Sequence, residues 1–263
     1  MSQVLGALLQ PGVRKREVLG WAMYDFANSG YTTVVLTAVF NAYFVAVAAN
    51  DAHWATFAWT LVLAVSNLLV MLSAPVLGAM ADAKNLKKGL LAVATAACVI
   101  STAGLATVGQ GDLVVAAVCI IVSNLAYSWG ESLIASFLPR LARPEALGRV
   151  SGWGWALGYL GGMTTLGLSL AYVLWAQAQG IPATEFVPVT MLLTAVIYAL
   201  AAGVTFWLLR EHGTQPVSQP SQTPVRDALR QLRKTWHAAR QYRDFVALLA
   251  CCVSCLLYTS DAA

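Results

Sequence analysis

Two acidic residues interrupt long apolar stretches of this sequence. Asp25 is the single charged residue in 18–50, and Glu131 is the single charged residue in 113–139. A carboxylate surrounded by apolar residues is costly unless it is paired or has a task, so both are candidates for binding a cationic group or a proton. On a helix, Asn28 shares a face with Asp25, and Asn124 shares one with Glu131. The candidate substrate-binding or coupling residues are Asp25, Glu131, Asn28, Tyr24 and Asn124.

The composition identifies the medium around these residues. Of the 263 residues, 59% are hydrophobic and 11% are charged. Soluble domains carry about 25% charged residues, and disordered or nucleic-acid-binding chains carry more. The excess of apolar residues therefore predicts a protein that uses lipid as its solvent, with the bilayer as a partner and no nucleic acid.

The charged residues divide the chain into six apolar spans, 18–50, 52–81, 89–111, 113–139, 150–184 and 186–209. Each exceeds the roughly 20 residues that cross a membrane as a helix. Separate strands in lipid would leave backbone groups unpaired, so helices are required. The predicted fold class is an all-α polytopic membrane protein, with a six-helix bundle over 18–210.

The rest of the chain divides into shorter segments. Residues 1–17 form a cytoplasmic N-terminus, and 211–243 form a cytoplasmic linker with an amphipathic helix. Residues 244–257 begin a seventh helix, but its apolar part covers only the 13 residues 245–257. A helix of that length spans about 20 Å, short of the roughly 30 Å of hydrocarbon, so we expect it to be truncated. Residues 258–263 are interpreted as a foreign or artefactual tail.

The basic residues predict an orientation. All 16 Lys and Arg residues fall before the first span, in the connections that follow even-numbered spans, or after the sixth. The opposite connections carry Asp51, Asp112 and Glu185 and no basic residue. The positive-inside rule then predicts a multi-pass inner-membrane protein with a cytoplasmic N-terminus. Asp25 and Glu131 each lie nine residues, or about 13 Å, from the nearest basic residue, which predicts one shared cavity.

Two further motifs concern helix contacts. Gly154, Gly158 and Gly162 are four residues apart, which is the small-xxx-small pattern of closely packed membrane helices. The contact is equally compatible with static packing and with sliding. The turn between the second and third spans holds a glycine, an aspartate and three lysines: Gly78, Asp82, Lys84, Lys87 and Lys88.

This turn resembles the signature of the major facilitator superfamily of secondary transporters, where it acts as a cytoplasmic gating loop. Ala83 and Leu86 depart from the usual pattern. Residues 20–44 and 137–162 resemble the first helix and the helix 4–5 junction of the branch related to the vacuolar amino-acid effluxers. The resemblance implies two six-helix bundles, each of 3+3 inverted repeats, and alternating access around a central cavity. It also implies export of amino acids or related solutes, with a proton or another ion as a possible partner.

On this basis the chain is expected to be the N-terminal half of a transporter whose C-terminal bundle is missing. The alternatives are a non-transporting membrane scaffold or sensor, which would tolerate neutralisation of both carboxylates, and an inactive fragment. We expect no enzymatic activity, no metal and no cofactor. A membrane metalloprotease needs an H-E-x-x-H helix, whereas His53 lies at the very start of the second span and His212 and His237 lie outside the spans.

Overall fold

The computed structural model describes residues 8–83, 87–210, 246–247 and 251. Its six long helices are α1 (Lys15–Ala48), α2 (Ala55–Ala83), α3 (Lys87–Gly104), α4 (Leu113–Ala135), α5 (Leu147–Ala178) and α6 (Ala183–Leu208). All six are long and apolar enough to cross a membrane. The predicted all-α fold with six spans is confirmed. The predicted linker at 211–243 and nearly all of the predicted seventh helix lie outside the described residues.

The connections at both ends of the bundle are short. At one end, Leu9 forms an isolated antiparallel bridge with Ala142, just after a one-turn helix at Leu138–Leu141. At the other end, the Gly111 N–H donates to the Ala48 carbonyl over 3.0 Å. These backbone contacts fix neighbouring helix ends to each other.

The helix α1 is not a uniform α-helix. It is α-helical over Lys15–Tyr31 and Val39–Tyr43, and π-helical over Thr32–Ala38 and Phe44–Ala48. Where the first π segment begins, the Thr33 hydroxyl donates to the Ser29 carbonyl over 2.7 Å. Side-chain hydroxyls that bond to the preceding turn compete with the regular backbone ladder, which favours a local widening of the helix. The sequence pattern does not predict this change.

The six helices form two three-helix units, α1–α3 and α4–α6, and each unit packs its first helix against the other unit; we call this exchanged packing. The helix α1 lies chiefly against α5 and α6, whereas α4 lies chiefly against α2 and α3. The first helix of each three-helix unit therefore packs against the last two helices of the other unit. The two three-helix units thus make equivalent contacts with each other, as two repeats of one unit would.

The close contact between α1 and α5 depends on glycines of α5. The members of this glycine face are Gly154, Gly158, Gly161 and Gly162. A Cβ atom at Gly154 would lie 2.6 Å from Oδ2 of Asp25. One at Gly158 would lie 2.9 Å from Oγ of Ser29. Side chains at these two positions would push α5 away from α1, because Asp25 and Ser29 would otherwise overlap them.

We predict that Gly161→Ala destabilises the protein by about 1–3 kcal/mol, the usual cost of overpacking a close contact. A Cβ atom there would overlap the backbone carbonyl oxygen and Cα of Phe26 in α1, which cannot rotate away. Gly167→Ala is the matched control, because the same helix leaves open space around that position. Thermal unfolding in detergent micelles measures both variants, and equal melting temperatures for the two would contradict the prediction.

Candidate functional site

A cavity of about 190 Å³ lies between α1, α4 and α5. Its lining comprises Asp25, Asn28, Ser29 and Thr32 from α1, Tyr127 and Glu131 from α4, and Trp155, Gly158 and Tyr159 from α5. Within each helix these residues are spaced chiefly three or four apart, so each helix presents one face to the cavity. The structure thus brings together three of the five residues proposed from the sequence, namely Asp25, Glu131 and Asn28.

The cavity has an acidic character. It is lined by two carboxylates, and no Lys, Arg or His is among the described residues that line it. An ionised carboxylate inside a membrane costs about 2.5–3.5 kcal/mol even on the lenient insertion scale. A bound cation or a bound proton would offset that cost. The cavity is therefore suited to a positively charged group, with Asp25 on α1 and Glu131 on α4 as its acceptors.

Asn28 connects the cavity to a buried hydrogen-bonded network. Its Oδ1 accepts a hydrogen bond of 2.8 Å from the Tyr198 hydroxyl of α6. The Tyr198 hydroxyl lies 3.4 Å from the Tyr24 hydroxyl. Tyr24 is in turn 3.0 Å from Oγ1 of Thr95 in α3. The network joins three helices directly behind the cavity.

Tyr24 therefore lies behind the cavity, in the buried network, although it is adjacent to Asp25 in the sequence. Its side chain is fully buried and does not line the cavity. Sequence reasoning missed Tyr198 and Thr95 because they are 174 and 71 residues away from Tyr24 along the chain. Only the packing of α3 and α6 against α1 brings them to it.

Asn124 lies outside the cavity, in the contact between α2 and α4. Its Nδ2 donates to Oγ of Ser66 over 3.0 Å and to Oδ1 of Asn67 over 3.2 Å. The Ser66 hydroxyl donates to the Ile121 carbonyl over 3.3 Å. An amide that is buried in hydrocarbon needs such partners, and here they come from a neighbouring helix.

Three aromatic residues of the cavity were not singled out from the sequence. Tyr127 lies one turn before Glu131 on α4. Trp155 and Tyr159 lie on either side of Gly158 on α5, with their rings 6.0 Å apart in an edge-to-face contact. The sequence feature that could have identified Trp155 and Tyr159 is their spacing of one helical turn beside Gly158, a residue that permits close approach to α1.

The predicted gating loop is described only in part. Lys84 and the side chain of Asp82 lie outside the described residues, and a Cβ atom at Gly78 would meet open space. Lys87 is buried. The Lys88 ammonium donates to the Phe206 and Leu209 carbonyls over 2.9 and 2.6 Å, at the C-terminal end of α6. A cation at that end satisfies carbonyls that lack helical partners and complements the helix dipole.

In the part of the chain that the structure describes, no group of three or more His, Cys, Asp or Glu side chains is arranged to hold a metal ion. The side chains that the cavity offers to a ligand are carboxylates, an amide, hydroxyls and aromatic rings.

Comparisons with known proteins bear on what this cavity does. A family model described as vacuole effluxer Atg22 like matches residues 44–259. The uncharacterized MFS-type transporter YxiO of Bacillus subtilis (strain 168) is 30% identical over 236 residues, which cover 88% of this chain and 54% of YxiO. The chain therefore spans about half the length of this curated relative. No solved structure matches the chain significantly.

We predict that the cavity is accessible to water. In a variant with the native cysteines replaced (Cys98, Cys119, Cys251, Cys252 and Cys255), Thr32→Cys should react with a membrane-impermeant, water-soluble thiol reagent, because position 32 lines the cavity. Ser123→Cys is the matched control, since Ser123 is fully buried against Tyr31. Mass spectrometry measures the labelling. Equal labelling of the two positions would contradict the described cavity.

Proposed function

Since the chain belongs to the Atg22-like vacuole effluxer family of the major facilitator superfamily, a family of membrane transporters, we propose that it acts in secondary active transport. The six described helices would form one of two bundles that move relative to each other to give alternating access. The transported solute is a small molecule with a positively charged group, an amino acid or a related metabolite, and the direction is export.

One observation supports this proposal more than any other. Asp25 and Glu131 come from different three-helix units and line the same cavity, with no basic side chain among its described lining residues. Carboxylates inside a membrane typically belong to substrate pathways or proton relays. Asp25 and Glu131 would bind the cationic group of the solute, or a coupling proton when the solute is absent.

The proposed location is the inner membrane, with the N-terminus in the cytoplasm. The segregation of all 16 basic residues to one set of connections supports this orientation. Lys88 then lies at the cytoplasmic end of the bundle, where its contact with the end of α6 would contribute to gating.

We predict that Asp25→Asn and Glu131→Gln each lower gradient-driven transport by about tenfold or more, because each change removes a negative charge that offsets the cation in hydrocarbon. The chain is expressed together with the proposed second bundle, purified and reconstituted into liposomes that contain an equimolar mixture of the twenty amino acids. Release after a pH gradient is imposed is measured by mass spectrometry. Both variants should still insert into the membrane, because a neutral amide is less costly in lipid than a carboxylate.

The matched control is Glu185→Gln, which removes an exposed carboxylate in the first turn of α6, away from the cavity. Its transport should equal that of the unmodified protein. Undiminished transport by both variants would contradict the role of the two carboxylates. Absence of transport by the unmodified protein would favour the scaffold or sensor alternative.

A further inference from the structure

The Asn28 amide is paired on one side only. Asn28 lines the cavity, yet its side chain is 5% exposed. Its Oδ1 accepts the hydrogen bond from Tyr198, whereas its buried Nδ2 has no hydrogen-bond partner. Buried polar groups in proteins nearly always have partners, and a group that lacks one calls for an explanation.

In the structure the amide places Oδ1 towards the Tyr198 hydroxyl. The Thr95 hydroxyl donates its one proton to the Leu91 carbonyl over 2.8 Å, so Oγ1 of Thr95 accepts from Tyr24. The Tyr198 hydroxyl has a short contact of 2.8 Å with Asn28 and a longer one of 3.4 Å with Tyr24. The Tyr198 hydroxyl donates its single proton in the shorter contact, to Oδ1 of Asn28, and Nδ2 is left as a donor without a partner.

We propose that Asn28 donates a hydrogen bond to an acceptor oxygen of the transported solute, and that Tyr198 is the positioning residue that holds the amide in this orientation. The inference rests on the proposed transport function. Asp25 and Asn28 are three residues apart on α1, so their side chains are neighbours. The solute class is then a compact molecule with a cationic amine and a carbonyl or carboxylate oxygen a few bonds away.

The test uses matched probes of equal charge. Alaninamide, leucinamide and phenylalaninamide each carry one ammonium group and a carbonyl acceptor. Ethylamine, isopentylamine and phenethylamine carry the same ammonium group and no acceptor. The free amino acids form a third series, in which the acceptor is a carboxylate. Isothermal titration calorimetry on the purified protein in detergent gives a Kd for each probe.

For each pair that binds, we expect the Kd of the amide to be about five- to tenfold lower than that of the matching amine. This is the affinity gain that one additional hydrogen bond gives. A stronger preference for the free amino acids would identify the acceptor as a carboxylate, and a stronger preference for the amides would identify it as a carbonyl. Either result supports a donor at Asn28.

Variants separate the roles of the two residues. Asn28→Leu should reduce the amide-to-amine ratio to about one, because the donor is gone. Tyr198→Phe keeps the amide but removes the bond that orients it, so the ratio should fall part of the way. Adding Tyr198→Phe to Asn28→Leu should change the ratio no further. The matched control is Tyr31→Phe, which removes a similarly buried hydroxyl on α1 whose hydrogen bond goes to Ser123 and not to Asn28, and it should leave the ratio unchanged.

The ratio distinguishes recognition from a general loss of stability, which would weaken both probes of a pair alike. Equal affinity for amides and amines in the unmodified protein would overturn the inference and leave the proposed cation site intact. An unchanged ratio in Tyr198→Phe would overturn the positioning role. Failure of every amine-bearing probe to bind would contradict the proposed function itself, and this inference with it.

Discussion

The apolar medium around the six helices is the constraint on which the rest of the structure depends. A polar group inside the bilayer finds no water there, so burial favours pairing within the protein or a position at a cavity. Trp21 donates its indole N–H to the Ile134 carbonyl over 2.9 Å, and Tyr43 donates its hydroxyl to the Val108 carbonyl over 2.8 Å. Such bonds tie α1 to neighbouring elements along its length. Asp25 and Glu131 lie at the cavity instead.

The position of the cavity follows from how closely α5 approaches α1. The glycine face removes side chains where the two helices meet, so α5 lies against the backbone of α1 at Phe26. The same approach brings the aromatic side chains of Trp155 and Tyr159 to the cavity. A bulkier α5 would separate these rings from Asp25 and open the site. The contact between α1 and α5 therefore determines both the packing of these helices and the geometry of the cavity.

The shape of α1 adds a second element to the site. Its regular α-helix ends at Tyr31, and the π segment begins at Thr32, which lines the cavity. Departures from regular helix often occur at functional sites, because they redirect side chains and loosen the backbone ladder. In this protein the irregular half of α1 begins two turns after Asp25, and the regular half carries the network from Asn28 through Tyr198 to Tyr24.

The six spans could be predicted without any coordinates, since charge is costly in hydrocarbon and every apolar stretch between charges is long enough to cross it. The same cost identified Asp25 and Glu131, because a charged residue within such a stretch is conspicuous in the sequence. Helical spacing then linked Asn28 to Asp25. These conclusions depend on neighbours within a few turns of one helix, and such neighbours are encoded locally.

The division between polar residues that face the cavity and those buried behind it depends on how the helices pack. Tyr24 and Asn124 have the same polar character as Asn28, yet Tyr24 is buried against Thr95 and Asn124 against Ser66. Tyr198 became part of the site through a contact with a residue 170 positions away. Helical periodicity gives the face on which a residue lies, but not the helix that covers that face. The exchanged packing of α1 and α4 settles that choice, because it depends on how well all six surfaces fit together.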